Sequence, residues 1–174
     1  MNRFGVIGVV LAKFVVPVMI IYFPFWGMWE NYVLDVVDGD VLGWLGMADV
    51  QYQMIDKSAD LWSYVCMVIV ARHWRINKVV MGLFIYRLIG QVLFFVTGDE
   101  LWFVWFQNFL EPLMLVYVSI MFVQKTEEKT YAVYMKYLWL WWAIIIGYKL
   151  WNEWYLHYAN IDLSTLLLGI NGNL

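Results

Sequence analysis

Arg87 and Gln91 stand four residues apart inside the apolar run FIYRLIGQVLFF, and Gln107, Asn108 and Glu111 follow within the stretch FQNFLEP. Spacings of three and four place such residues on one face of a helix, so these are two polar stripes. A lone charge at the centre of a bilayer costs about 3 kcal/mol on insertion scales, and pairing reduces that cost. The two stripes are therefore expected to face each other. Arg87 would pair with Glu111, and Gln91 and Asn108 would fill the remaining hydrogen-bonding capacity. Lys13, in the first apolar run, is expected at a comparable depth, roughly 13 Å from the end of its helix against roughly 12 Å for Arg87 at 1.5 Å per residue.

Two cations facing one carboxylate would make a net-positive site. The set Lys13, Arg87, Gln91, Asn108 and Glu111 thus reads as a place to bind or pass a small anionic or polar ligand or a lipid headgroup. A second reading is a structural or assembly subunit in which Arg87–Glu111 is only a packing clasp. A third is a membrane-embedded enzyme with Glu111 as acid or base beside Arg87. The sequence holds no G-x-S-x-G nucleophile turn and no phosphate-cradling glycine loop, so an enzyme here would work through scattered carboxylates. Pro17 and Pro112 are expected to free the carbonyls of Lys13 and Asn108, two members of the same polar set.

The elements that hold these residues follow from composition. The chain is 64% hydrophobic and 14% charged, with 12 tryptophans, a balance that belongs to a membrane protein. The fold class expected is all-α: a single-domain polytopic transmembrane bundle with five spanning helices near residues 4–23, 59–72, 79–97, 101–123 and 132–151. The first apolar run is read as a retained span because an aromatic belt, PFWGMW, follows it in place of a cleavage site. Gly98 is expected to end one helix, with Asp99 capping the next and Glu100 in its first turn. Gly82 and Gly90, two turns apart, would allow another helix to approach closely. Residues 28–57 read as an acidic external segment with short interfacial helices or a re-entrant turn near 41–47, and residues 160–174 as a semi-polar tail.

Charge sets the expected direction. Arg3, then Arg72, Arg75 and Lys78, then Lys125, Lys129 and Lys136 flank alternate connections, which puts the N-terminus in the cytoplasm and the C-terminus outside. The cytoplasmic (plasma) membrane is the expected location. Asp35, Asp38 and Asp40 lack calcium-loop spacing, His73 and His157 fall on opposite sides, and Cys66 is the single cysteine. Neither a metal nor a cofactor is expected from this set. Lys149 and Glu153 are expected to pair near the outer end of the fifth helix. The expected partners are the lipid bilayer, an anionic lipid or small polar ligand, and a second copy or another membrane protein. A net charge of −3 gives no footprint for nucleic acid.

Overall fold

A computed structural model describes residues 3–99 and 101–157, and all the regular structure in them is helical. The tail from Asn160, Glu100, and the side chains of Glu153 and His157 lie outside the described residues. The order is α1 (Arg3–Tyr22), α2 (Pro24–Trp44), α3 (Asp49–Ala71), α4 (Asn77–Thr97), α5 (Trp102–Trp105), α6 (Leu110–Gln124), α7 (Glu127–Lys136) and α8 (Leu138–His157). Helices α1 and α4 are long and apolar enough to cross a membrane.

The largest departure from expectation is α2. The segment expected as an external acidic connection is helical from Pro24 to Trp44, and it folds back along α1. Pro24 stands in the first turn, where its missing N–H leaves no helical bond unmade. Gly27 then lies against the backbone of Ile20, while Lys13 meets Asp35 and Asp38 further along. Residue numbers rise on one helix as they fall on the other, so the hairpin is antiparallel. Helix α3 runs parallel to α1, with the Trp62 indole donating to the Phe14 carbonyl at 2.9 Å.

A Cβ on Gly27 would come within 2.4 Å of the Ile20 nitrogen and 2.5 Å of the Met19 carbonyl carbon. Those atoms are backbone and cannot swing aside. Gly27→Ala is therefore expected to pry the hairpin apart and cost about 1–3 kcal/mol, read as an earlier unfolding midpoint in detergent.

The remaining turns follow local chemistry. Gly98 adopts the left-handed conformation at φ 71° and donates back to the Phe94 carbonyl at 2.7 Å, as expected of it. The Asp99 carboxylate accepts from the Leu101 N–H at 2.9 Å. The helix expected over 101–123 is interrupted: α5 stops at Trp105 and α6 starts at Leu110. Pro112 consequently lies in the first turn of α6 rather than in a helix interior, and it frees no carbonyl of a preceding turn. Gly90 admits this break, since a Cβ there would meet the Phe106 Cβ at 2.4 Å. Gly82 meets nothing within 4 Å and faces open space.

The hairpin also changes the ends. The 72–76 and 125–126 turns share one end of the bundle with the α1–α2 turn, as Arg75 on Glu127 and Glu128 and Phe25 stacked on Phe122 show. Arg3 lies at the opposite end, where Val6 packs with Leu42 and Met47 beside the α2–α3 turn. Arg3 and the basic turns at 72–78 and 125–129 thus stand at opposite ends of the bundle, because α2 folds back along α1.

Burial is layered along the axis. A large apolar cluster of α2, α3, α6 and α8 residues, including Met28, Met67, Tyr117 and Ile145, fills the basic end. A smaller one, Val6, Leu42 and Met47, closes the other. Between them lie the buried polar residues. The outer face is apolar: Met81, Ile85, Ile89, Val92 and Val96 of α4 are exposed, whereas Arg87 and Gln91 of the same helix are buried.

Candidate functional site: a buried acid–base layer

Six helices supply the polar layer. Helix α1 contributes Lys13, whose ammonium donates to Asp38 of α2 and Asp56 of α3 and lies 3.5 Å from Asp35 of α2. Asp35 and Asp38 are three apart and share one face of α2; Asp56 and Asp60 are four apart and share one face of α3. Oxygens of Asp35, Asp38 and Asp56 lie within 4.8 Å of one another. Lys13 is the cation that holds them together, 5% exposed where Asp38 is fully enclosed. Tyr52 donates to the second oxygen of Asp38 at 3.5 Å, and Lys57 bridges Asp56 and Asp60, the latter at 3.7 Å. Asp40, grouped with Asp35 and Asp38 in the sequence, is exposed; Asp56 takes its place.

A second half forms around the helix break. Glu111, in the first turn of α6, accepts from Asn31 of α2 at 3.4 Å and from Asn108 at 3.2 Å. Asn108 in turn accepts from the Glu111 N–H at 3.2 Å, closing a reciprocal cap on α6. Arg87 donates to the Phe106 carbonyl at 2.7 Å, one of the carbonyls the break leaves free, and its guanidinium lies 4.3 Å from the centre of the Phe103 ring. Gln91 donates to the Lys57 carbonyl at 3.2 Å. Arg87 Nε and Gln91 Oε1 are buried without a hydrogen-bond partner among the described residues.

All five residues singled out from sequence are thus buried, but their grouping differs. Arg87 makes no ion pair with Glu111 among the described residues; a carbonyl and an aromatic ring hold it instead. Lys13 does not join them either, because α2 brings it closer carboxylates. Gln91 and Asn108 do not share one partner: Gln91 binds the α3 backbone and Asn108 binds Glu111. Asn31, Asp35, Asp38, Asp56 and Lys57 were missed because they fell in the segment read as external, and Asp60 because it stands at the edge of the span expected over 59–72. Their buried stripe, Asn31, Asp38 and Leu42 with Asp35 alongside, recurs at helical spacing and was the available signal.

The halves meet at a small cavity of about 10 Å³, room for one water, walled by Lys13, Asn31, Asp35, Asp60 and Ser63 among others. Arg87 and Lys149 of α8 also lie within electrostatic range of Glu111. The layer therefore gathers Asp35, Asp38, Asp56, Asp60 and Glu111 against Lys13, Lys57, Arg87 and Lys149. The layer thus holds five carboxyl and four basic groups, where the sequence offered two cations and one carboxylate. Glu111 is the carboxylate of this set with amides alone at contact distance.

Such a bundle, apolar outside and ionic within, defines a class by its chemistry alone. No protein-family model, curated protein or solved structure matches the chain.

Proposed function

We propose that the chain is a multi-pass membrane protein whose buried acid–base layer takes up and passes protons. Six transverse elements, α1, α2, α3, α4, α5–α6 and α7–α8, would be embedded. The observation that carries this reading is the inverted distribution of polarity. Carboxylates, ammonium groups and a guanidinium are enclosed, and Phe, Trp, Ile and Val side chains face outward. In water that arrangement would expose a large apolar surface; in lipid that surface is solvated, and charges held within a membrane are those that face the bundle interior and pair. The end carrying Arg72, Arg75, Lys78, Lys125 and Lys129 would face the cytoplasm of a plasma membrane, with the N-terminus outside.

Protons suit the layer better than the anionic or polar ligand expected from sequence. Carboxyl groups outnumber the basic groups, and the cavity admits a water and nothing larger. Carboxylates from three helices, linked by Lys13, Lys57 and the two asparagines, resemble the acid chains by which membrane proteins move protons. A helix broken beside the site matches the rule that irregular backbone at membrane depth borders protein or a wet cavity. Apolar clusters close both ends, so passage requires each of them to open in turn.

The purified protein in liposomes, driven by a potassium diffusion potential, is expected to acidify the lumen faster than protein-free liposomes. Rates equal to protein-free liposomes would overturn the proton reading. They would favour a structural or assembly subunit, a role that the close wrapping of Lys13 by three carboxylates also supports. The layer would then serve only to lock α1, α2 and α3 together.

A further inference from the structure

The outer face carries a groove of about 500 Å³ between α3 and α4, with Arg72, Asn77 and Lys78 at its mouth and Val68, Gly82 and Ile85 beneath. It opens at the basic end of the bundle. We propose that this groove seats one anionic phospholipid, its phosphate between Arg72 and Lys78 and an acyl chain laid along Gly82 toward Ile85. The inference rests on the membrane reading but not on proton passage.

Three observations support it independently of the buried layer. First, Arg72 and Lys78 make no ion pair among the described residues, whereas their neighbour Arg75 pairs with Glu127 and Glu128. The mouth is thus cationic and uncompensated. Arg72 Nε is committed to His73 at 2.9 Å and the Arg72 carbonyl accepts from Asn77 at 3.2 Å. The turn is fixed by these contacts, and the two Nη groups remain for a bidentate phosphate.

Second, the groove owes its depth to Gly82, where a Cβ would meet nothing within 4 Å. Lys78, Gly82 and Ile85 recur on one face of α4, so a chain lying over Gly82 follows directly from the cation above it. Third, the dimensions agree. From Lys78 to Ile85 the helix rises about 10 Å, which carries the groove from headgroup level into the hydrocarbon. A cationic mouth over an apolar trough is complementary to an anionic headgroup with its acyl chain.

The test is native mass spectrometry of the full chain in detergent, titrated with phosphatidylglycerol or with phosphatidylcholine of the same acyl chains. The wild type is expected to hold one phosphatidylglycerol about tenfold more tightly than phosphatidylcholine. R72Q/K78Q should abolish that preference, and R75Q should leave it intact. Gly82→Leu, which fills the trough, should weaken both lipids. Equal affinity for the two lipids, a preference that survives R72Q/K78Q, or binding unaffected by Gly82→Leu would each overturn the site. So would inorganic phosphate displacing the lipid at equal concentration, or a dimer forming in place of the lipid-bound monomer. Release of the protein from membranes by alkaline carbonate would instead overturn the membrane reading itself.

Discussion

Lys13→Ala is expected to destabilise the protein more than any other single change in the polar layer, by about 3–5 kcal/mol, the range for removing one partner of a buried ion pair. The reason is geometric. Oxygens of Asp35, Asp38 and Asp56 lie within 4.8 Å of one another, and the Lys13 ammonium is the cation among them. Without it, like charges converge from two helices in a region closed at one end by Val6, Leu42 and Met47. Lys57 can relieve Asp56 only, since its other ion-pair partner is Asp60. Thermal unfolding followed by tryptophan fluorescence in detergent should show a midpoint lower by roughly 10 °C, at the few degrees per kcal/mol usual for a chain of this size. The control is the triple change Lys13→Ala, Asp38→Asn, Asp56→Asn, which removes the cation together with two of the charges it held. That variant should recover most of the loss. A single Lys13→Ala variant as stable as the wild type would show that the ammonium does not hold α1, α2 and α3 together.

The same lysine shows what was legible beforehand. That Lys13, Arg87, Gln91, Asn108 and Glu111 are buried could be read from single polar residues within apolar runs. Their partners could not, for two physical reasons. Hydropathy averaging treats a carboxylate as a group that seeks water, so Asp35, Asp38, Asp56 and Asp60 marked their segment as external. Here each turns inward to a lysine, and α2 with the first half of α3 becomes part of the bundle. Missing α2 also placed Arg3 at the same end as Arg72 and Lys78, whereas the fold puts them at opposite ends of the bundle. The second reason is the break at 106–109. Arg87 was expected to meet Glu111 across two regular helices, but the interruption leaves the Phe106 carbonyl nearer to it. This break did have a signal. Asn108 three residues before Glu111, with Pro112 next, is the signature of a helix start, and the reciprocal Asn108–Glu111 hydrogen bonds realise it.

Glu111→Gln separates the two roles left for the layer. The side chain keeps its length, and the break that positions it depends on the Glu111 backbone N–H to Asn108, which the substitution preserves. What changes is one oxygen. Glu111 accepts from Asn31 through one oxygen and from Asn108 through the other, so a glutamine would place an amide donor against one of these donors. Asn108 is held by its own oxygen, but among the described residues no such contact fixes the Asn31 amide, which can rotate to present its oxygen instead. The expected loss of stability is accordingly small, about 1 kcal/mol, the net value of one hydrogen bond. Proton flux, in contrast, is expected to fall to that of protein-free liposomes, because an amide cannot take up and release the proton that this carboxylate would carry. Flux at the wild-type rate in a folded Glu111→Gln protein would remove Glu111 from any pathway and leave only the Lys13 half to carry one. A large loss of stability would point the other way, since the negative charge would then be needed to balance Arg87 and Lys149. The helix break would in that case be a structural joint, and the outward tryptophans of α8 would become the more informative surface to probe.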